Sequence, residues 1–250
     1  FDEVDTFDRP GEAPDRMGLL LGVKEGRSGA LMAGAGYSSL EQFFFQFQYQ
    51  QRNFLGRGWD INATFRSSSF TQDYFVQFDD PYFLESPWHL GISGYSYATR
   101  LYYFDQERMG GNITGGRKIP HTEYSYLYLT YGYSISNLEH FSKSSQIYRL
   151  QPQDAPTSSA TLTFKRNAVN NFLDPTRGSY LNSSLQYAGG PLGGENDFTK
   201  AGGQILYFQP LPIQQIGHYL ALKAQIGYMW YPDTEHLLVT ERYFIGGSNS

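Results

Sequence analysis

Five histidines, His89, His121, His140, His218 and His236, are the first candidates for proton transfer or metal ligation, and their spacing serves neither. No two stand at the short separation that a zinc site uses. The absence of Cys removes a thiol nucleophile, cysteine-based zinc sites and a disulfide framework. No Gly-x-Ser-x-Gly elbow or Gly-x-x-x-x-Gly-Lys-Ser/Thr phosphate loop occurs. Asp79 and Asp80 are adjacent carboxylates, but neighbours in a strand point to opposite faces and cannot act as an acid/base pair. Asp80 before Pro81 reads better as a turn cap. The Asn-x-Ser/Thr triplets at Asn62, Asn112 and Asn182 fall within strand-like segments and are chance matches. No catalytic constellation is legible, and no metal or cofactor is called for. Function must be sought in the elements themselves.

Those elements have an unusual composition. Of 250 residues, 17% are charged, against a typical ~25%, and 27 are Gly, above the usual share of about 7%. Aromatics reach 17%, mostly Tyr and Phe, enough apolar surface to repay the entropy of folding, so a disordered chain is excluded. Mean hydropathy is -0.47, and no apolar run approaches the ~18 residues of a membrane helix. The net charge of -5 argues against nucleic acid as a partner.

Periodicity sets the fold class. In Glu41–Gln50, Phe43, Phe45, Phe47 and Tyr49 share one face while Gln46, Gln48 and Gln50 take the other, the period-two signature of a strand. The pattern returns in Leu220, Leu222, Ala224, Ile226, Tyr228 and Trp230, in Trp88, Leu90 and Ile92, and in Leu181, Ser183, Leu185 and Tyr187. About eleven such segments follow residue 28, each near the ~9–11 residues that cross a bilayer as a tilted strand. Opposite the apolar face stand Gln, Ser, Thr, Asn, Gly and Tyr rather than Lys and Glu. A soluble sandwich charges its outer face; a membrane barrel turns apolar residues to lipid and neutral polar ones to a wet lumen. The predicted class is all-β, an antiparallel transmembrane barrel. The crowded Tyr95, Tyr97, Tyr102, Tyr103, Phe104, Tyr124, Tyr126 and Tyr128 are expected in interfacial girdles.

The connections divide by length. Asn53–Gly58, Asp80–Phe83, Asp174–Gly178 and Pro210–Pro212 carry tight-turn chemistry, whereas Tyr103–Gly111, Asn137–Thr157 and Gly189–Asp197 are expected as longer loops. If the first strand rises from the periplasm, alternation puts every short turn there and every long loop outside. Residues 1–28 differ: an acidic stretch, a Pro10–Asp15 break and an apolar run from Met17 to Lys24 suggest a hairpin too small to stand alone. Phe1 and the Gly-rich end read as ends cut from something longer.

Several of these segments, in this order, resemble the Omp85 superfamily. Val23–Gly29 followed by Ala33–Ser39 is similar to the junction between that family's last POTRA domain and its first barrel strand. Asn53-Phe54-Leu55-Gly56-Arg57-Gly58 resembles its Asn-x-Leu-Gly-x-Gly turn, Asp80-Pro81-Tyr82-Phe83 its Asp/Asn-Pro-Tyr-Phe turn, and Asp174-Pro175-Thr176-Arg177-Gly178 the pattern it places before a strand. Tyr243–Ser250, with Gly246 and Gly247, resembles the opening of the sixth extracellular loop, which in the family runs on into an Arg-Gly-Phe/Tyr signature that this chain lacks.

The resemblance implies the following. Residues 1–28 are the C-terminal hairpin of a POTRA-like periplasmic domain, and residues 29–250 are roughly the first eleven strands of a barrel of about sixteen. Gly56, Gly58, Asp80, Pro81, Asp174, Pro175 and Gly178 lie in periplasmic turns. Gly29, Ala30, Gly34, Gly36 and Tyr37 belong to the first strand, whose seam with the last strand is weak. Glycine lowers strand stability and offers no cross-strand side-chain pair, so an opened seam could accept a client strand by β-augmentation. The implied function is non-enzymatic: folding and inserting outer-membrane proteins in the bacterial outer membrane. The partners are membrane lipid, unfolded outer-membrane proteins and, through POTRA domains, periplasmic lipoproteins. The alternatives are a transport or assembly relative, TamA or a TpsB-type two-partner secretion translocator, then a passive porin-like channel.

Overall fold

The computed structural model describes residues 3–10, 17–24, 26, 28–39, 41–100, 105–140, 154–211, 218–232 and 241–243. Two sheets result. The smaller pairs β1 (Glu3–Pro10) with β2 (Met17–Lys24), Glu3 lying opposite Lys24 and Pro10 opposite Met17. The larger holds eleven strands: β3 (Gly29–Ser38), β4 (Gln42–Phe54), β5 (Trp59–Ser68), β6 (Thr71–Asp80), β7 (Trp88–Arg100), β8 (Asp105–Lys118), β9 (Ser125–Glu139), β10 (Ala155–Val169), β11 (Gly178–Ala188), β12 (Phe198–Pro210) and β13 (Tyr219–Trp230). Each is antiparallel to its sequence neighbours, in unbroken meander order from β3 to β13.

Register carries the alternation across the sheet. One face passes through Phe47, Phe65, Tyr74, Ser96, Met109 and Ile135, each opposite the next. The other passes through Gln46, Arg66, Asp73, Tyr97, Arg108 and Ser136. Phe43, Phe45, Phe47, Leu220, Leu222 and Ile226 fall on the apolar face and remain exposed, Phe43 by 76% and Ile226 by 75%. Among the described residues nothing covers that face, as expected of a surface made for lipid.

The polar face is concave. Glu241, in the segment after β13, forms ion pairs with both Lys200 of β12 and Arg108 of β8. Strands four apart lie about 19 Å from each other in a flat sheet, too far for one carboxylate to serve both. The sheet must curl around it. Near that point Ala188 and Phe198, with Met229 packed against them, make a small buried apolar patch, a minor core beside the lumen-facing polar wall.

Two expectations are corrected. Tyr95 with Tyr97, and Tyr126 with Tyr128, are stacked pairs at 5.1 and 6.3 Å, on the polar face rather than in a lipid-facing girdle. Each pair sits two residues apart in one strand, so alternation commits both members to one side, and register sets that side as the lumen. Tyr102, Tyr103 and Phe104 lie outside the described residues. Nor is Tyr103–Gly111 a loop, because β8 begins at Asp105 and pairs with β7 from Arg100 onward.

The ends also differ less in length than expected. The end holding residues 55–58, 81–87, 119–124, 170–177 and 211–218 has only short connections. The opposite end holds the longer segment 140–154, but also 189–197, one residue longer than 170–177, and the tight links 39–41, 69–70 and 101–104. The 3-10 turns Phe83–Glu85 and Gly190–Leu192 sit within connections and interrupt no strand.

Candidate functional site

Three places could do work: the free edge of β3, the turns of the short-connection end, and the concave wall.

β3 pairs with β4 from Gly29 opposite Gln51 to Ser38 opposite Gln42; its other edge has no partner among the described residues. Leu31, Met32 and Tyr37 are exposed, although Leu31 and Met32 point to opposite faces. The glycines differ. A Cβ on Gly36 would come within 2.7 Å of the Phe44 ring, which fills the space of the missing side chain, whereas one on Gly34 would meet nothing within 4 Å. Gly36 therefore has a packing reason, and Gly34 has none in the described wall. Gly29 makes room for the Gln51 amide, while Ala30 stands opposite Gln50 without a side-chain tie. Tyr37 meets Phe43 edge-on at 5.1 Å, on the outer face.

The turns are built by side-chain caps. The Asn53 carboxamide oxygen accepts the Gly58 N–H at 2.7 Å, while Leu55, Gly56 and Gly58 take left-handed backbone, which glycine adopts without the Cβ clash. Asp80 accepts the Tyr82 N–H at 3.0 Å, the Asx cap that Asp before Pro suggests. Its neighbour Asp79 points to the concave side and contacts His89 Nε2 at 3.1 Å, so the adjacent carboxylates do take opposite faces. At Asp174–Gly178 the cap comes from upstream: Asn170 Oδ1 accepts the N–H groups of Thr176 and Arg177. Gly178, at φ +112°, packs against the Ala168 carbonyl. Pro81 and Pro175 shape these two turns by fixing φ.

The concave wall carries contacts that spacing did not foretell. His89 lies edge-on to Tyr128 at 5.8 Å, and Lys165 Nζ sits 5.2 Å above the same ring. These residues join Asp79 from four different strands, a conjunction only register creates. Glu241, 5% exposed, is held between Lys200 and Arg108; the Arg108 Nη1 contact is 2.9 Å, with its N–H off line, so it is an ion pair rather than a hydrogen bond. Beside it Tyr243 lies over Gly227, which is paired with Gly202, so a flat glycine floor receives the ring. Glu241 escaped the sequence reading because nothing local marks a loop carboxylate whose partners are 41 and 133 positions away. No cluster of metal-ligating residues occurs among the described residues. Gly246 and Gly247 lie outside them.

The arrangement is a structural wall whose two end strands, β3 and β13, are each paired along one edge among the described residues. A family model described as the Omp85 superfamily domain matches residues 53–250. The outer membrane protein assembly factor BamA of Nitratidesulfovibrio vulgaris is 27% identical over 255 residues, covering 100% of this chain and 31% of that protein. The crystal structure of BamA from Haemophilus ducreyi lacking POTRA domains 1–3 superposes with a TM-score of 0.74 at 19% identity, over 100% of this chain and 50% of that one. CdiB from Escherichia coli follows at TM-score 0.54 and 13% identity, over 94% of this chain and 46% of that one. At such identities the two structures speak for the fold alone, and the chain spans about a third of the curated relative's length. With the family model covering most of the sequence, the eleven-stranded wall is that of an integral outer-membrane barrel protein, and the chain belongs to the Omp85 superfamily.

Proposed function

We propose that this chain is the leading part of the barrel of an outer-membrane protein insertase, a non-enzymatic machine that presents its first strand to incoming β-strands. The observation that carries the reading is the β3 edge. Among the described residues Gly29–Tyr37 make no side-chain hydrogen bond, their ring contact is Tyr37 on Phe43, and a Cβ on Gly34 would meet nothing within 4 Å. The outward edge of β3, like that of β13, has no partner among the described residues. Backbone groups unpaired at membrane depth need a partner, and β-augmentation supplies one. The likeness to a BamA sequence along the whole chain supports the same reading.

In this account β1 and β2 are the last hairpin of a POTRA domain, the short-connection end faces the periplasm, and the barrel closes with strands beyond residue 250, about sixteen in all. Gly246 and Gly247 open the sixth extracellular loop. Unfolded outer-membrane proteins are the substrates, and periplasmic lipoproteins the partners of the POTRA region. A second reading is a two-partner secretion translocator, in which the polar concave wall would line a conduit.

A disulfide joining β3 to the last strand of the whole protein separates the two. Under the insertase reading the oxidised protein stops the appearance of folded outer-membrane proteins, and reduction restores it. Secretion through a lumen needs no opening in the wall, so undiminished assembly with the lock fully formed would transfer the function to transport.

A further inference from the structure

We propose that the outer face of the short-connection end holds phospholipid phosphate groups at two arginine–tryptophan pairs, Arg117 on Trp88 and Arg57 on Trp59. Trp88 opens β7, and Arg117 stands directly opposite on β8; both occupy the apolar face, in the same alternation as Ile92 and Ile113. The guanidinium lies 5.0 Å from the Trp88 ring centre. Two strands away the arrangement recurs: Trp59 opens β5, and Arg57 lies 4.9 Å above its ring. Trp59 is itself braced edge-on by Phe78 at 5.5 Å.

The charges are uncompensated. Among the described residues neither arginine has a carboxylate partner or a side-chain hydrogen bond, and Arg117 Nε is shut from water without an acceptor. A guanidinium stays protonated, and a bare cation on a lipid-facing wall is costly unless it lies at the interface beside an anion. Tryptophan prefers that same headgroup level. The ring lies beneath the guanidinium, whose terminal amino groups have no acceptor among the described residues, and paired N–H donors of that kind bind phosphate bidentately. Trp230, outward-facing at the opposite end of β13, carries no stacked cation among the described residues, so the device belongs to one rim. The pairs are two strands apart, about 10 Å, and each takes its own headgroup. Assigning the ligand to a phospholipid rests on the proposed orientation, which turns this rim to the periplasmic leaflet.

The test uses the full-length protein in neutral detergent, counting retained phosphatidylglycerol by native mass spectrometry. Wild type is expected to keep phosphatidylglycerol through delipidation. R57Q/R117Q, verified as folded by its heat-sensitive gel mobility, should keep at least fivefold less, and R117K an intermediate amount, because an ammonium retains charge but not the fork. Equal retention by wild type and the double variant overturns the proposal. So does complete displacement of the lipid by millimolar inorganic phosphate, which would mark a free-anion site. Labelling of L55C from outside intact cells would reject the orientation instead, and is read independently of the lipid count.

Discussion

The ladders β3–β4 and β8–β9 belong to one sheet but are fastened differently. β8 spans 14 residues, is paired along both edges, and adds side-chain bonds to the backbone ladder: Thr114 to Thr130 at 2.9 Å and Arg108 to Ser134 at 3.2 Å. Its Gly110 is enclosed by the Tyr133 carbonyl, Ser134 and the Tyr95 hydroxyl. β3 spans 10 residues and, among the described residues, is paired along one edge, as β13 is, while its Gly29–Tyr37 make no side-chain hydrogen bond. Each missing cross-strand pair forgoes roughly 0.2–1 kcal/mol. A wall tied at its centre and slack at its first strand can yield at one edge while keeping its shape.

The largest expected effect breaks the tied region. Glu241→Ala leaves Arg108 and Lys200 side by side on the concave wall without their shared carboxylate, and should destabilise the barrel by about 3 kcal/mol, the lower end for a broken buried pair. The loss of heat-sensitive gel mobility at a lower temperature reads this. Gly110→Val follows. Its Cβ would approach the Tyr133 carbonyl oxygen to 2.6 Å, and such overpacking costs about 1–3 kcal/mol, visible as a lowered urea midpoint. A smaller loss, roughly 1 kcal/mol, is expected for Asn170→Ala, because two turn N–H groups lose their acceptor to water on an exposed loop.

Gly34→Ala sharpens the comparison by its sign. With open space around the new methyl group, alanine should stabilise β3 by about 0.5–1 kcal/mol. If the slack is functional, the same variant slows client assembly while raising the melting temperature. An unchanged assembly rate in the stabilised variant would detach the glycine from function.

How much of this was legible depended on whether the signal was local. β4 and β13 announced themselves, since Phe43, Phe45 and Phe47 against Gln46 and Gln48 leave only one period. Asp80 and Pro81 carry their turn in two adjacent residues, and the structure places the cap there. β8 did not announce itself: Asp105-Gln106-Glu107-Arg108 followed by Gly110 and Gly111 reads as a polar loop, because its charged side chains meet partners on β9 and beyond that only register reveals. The inward Tyr95 and Tyr97 were misplaced for the same reason. A tyrosine suits a lipid interface or a wet lumen equally, and the choice is made by the strand beside it. Glu241 is the extreme case, as its role exists only because the sheet curls.

The central claim, that β3 is the edge offered to another chain, is tested most directly by photocrosslinking during client assembly. A photoreactive residue is placed at Leu31 or Ala33 of β3 in the full-length protein, and at Ile113 of β8 as the control. The account predicts adducts with nascent outer-membrane proteins from β3, disappearing once the client is released, and none from β8. Adducts absent from β3, or equally abundant from Ile113, would contradict it.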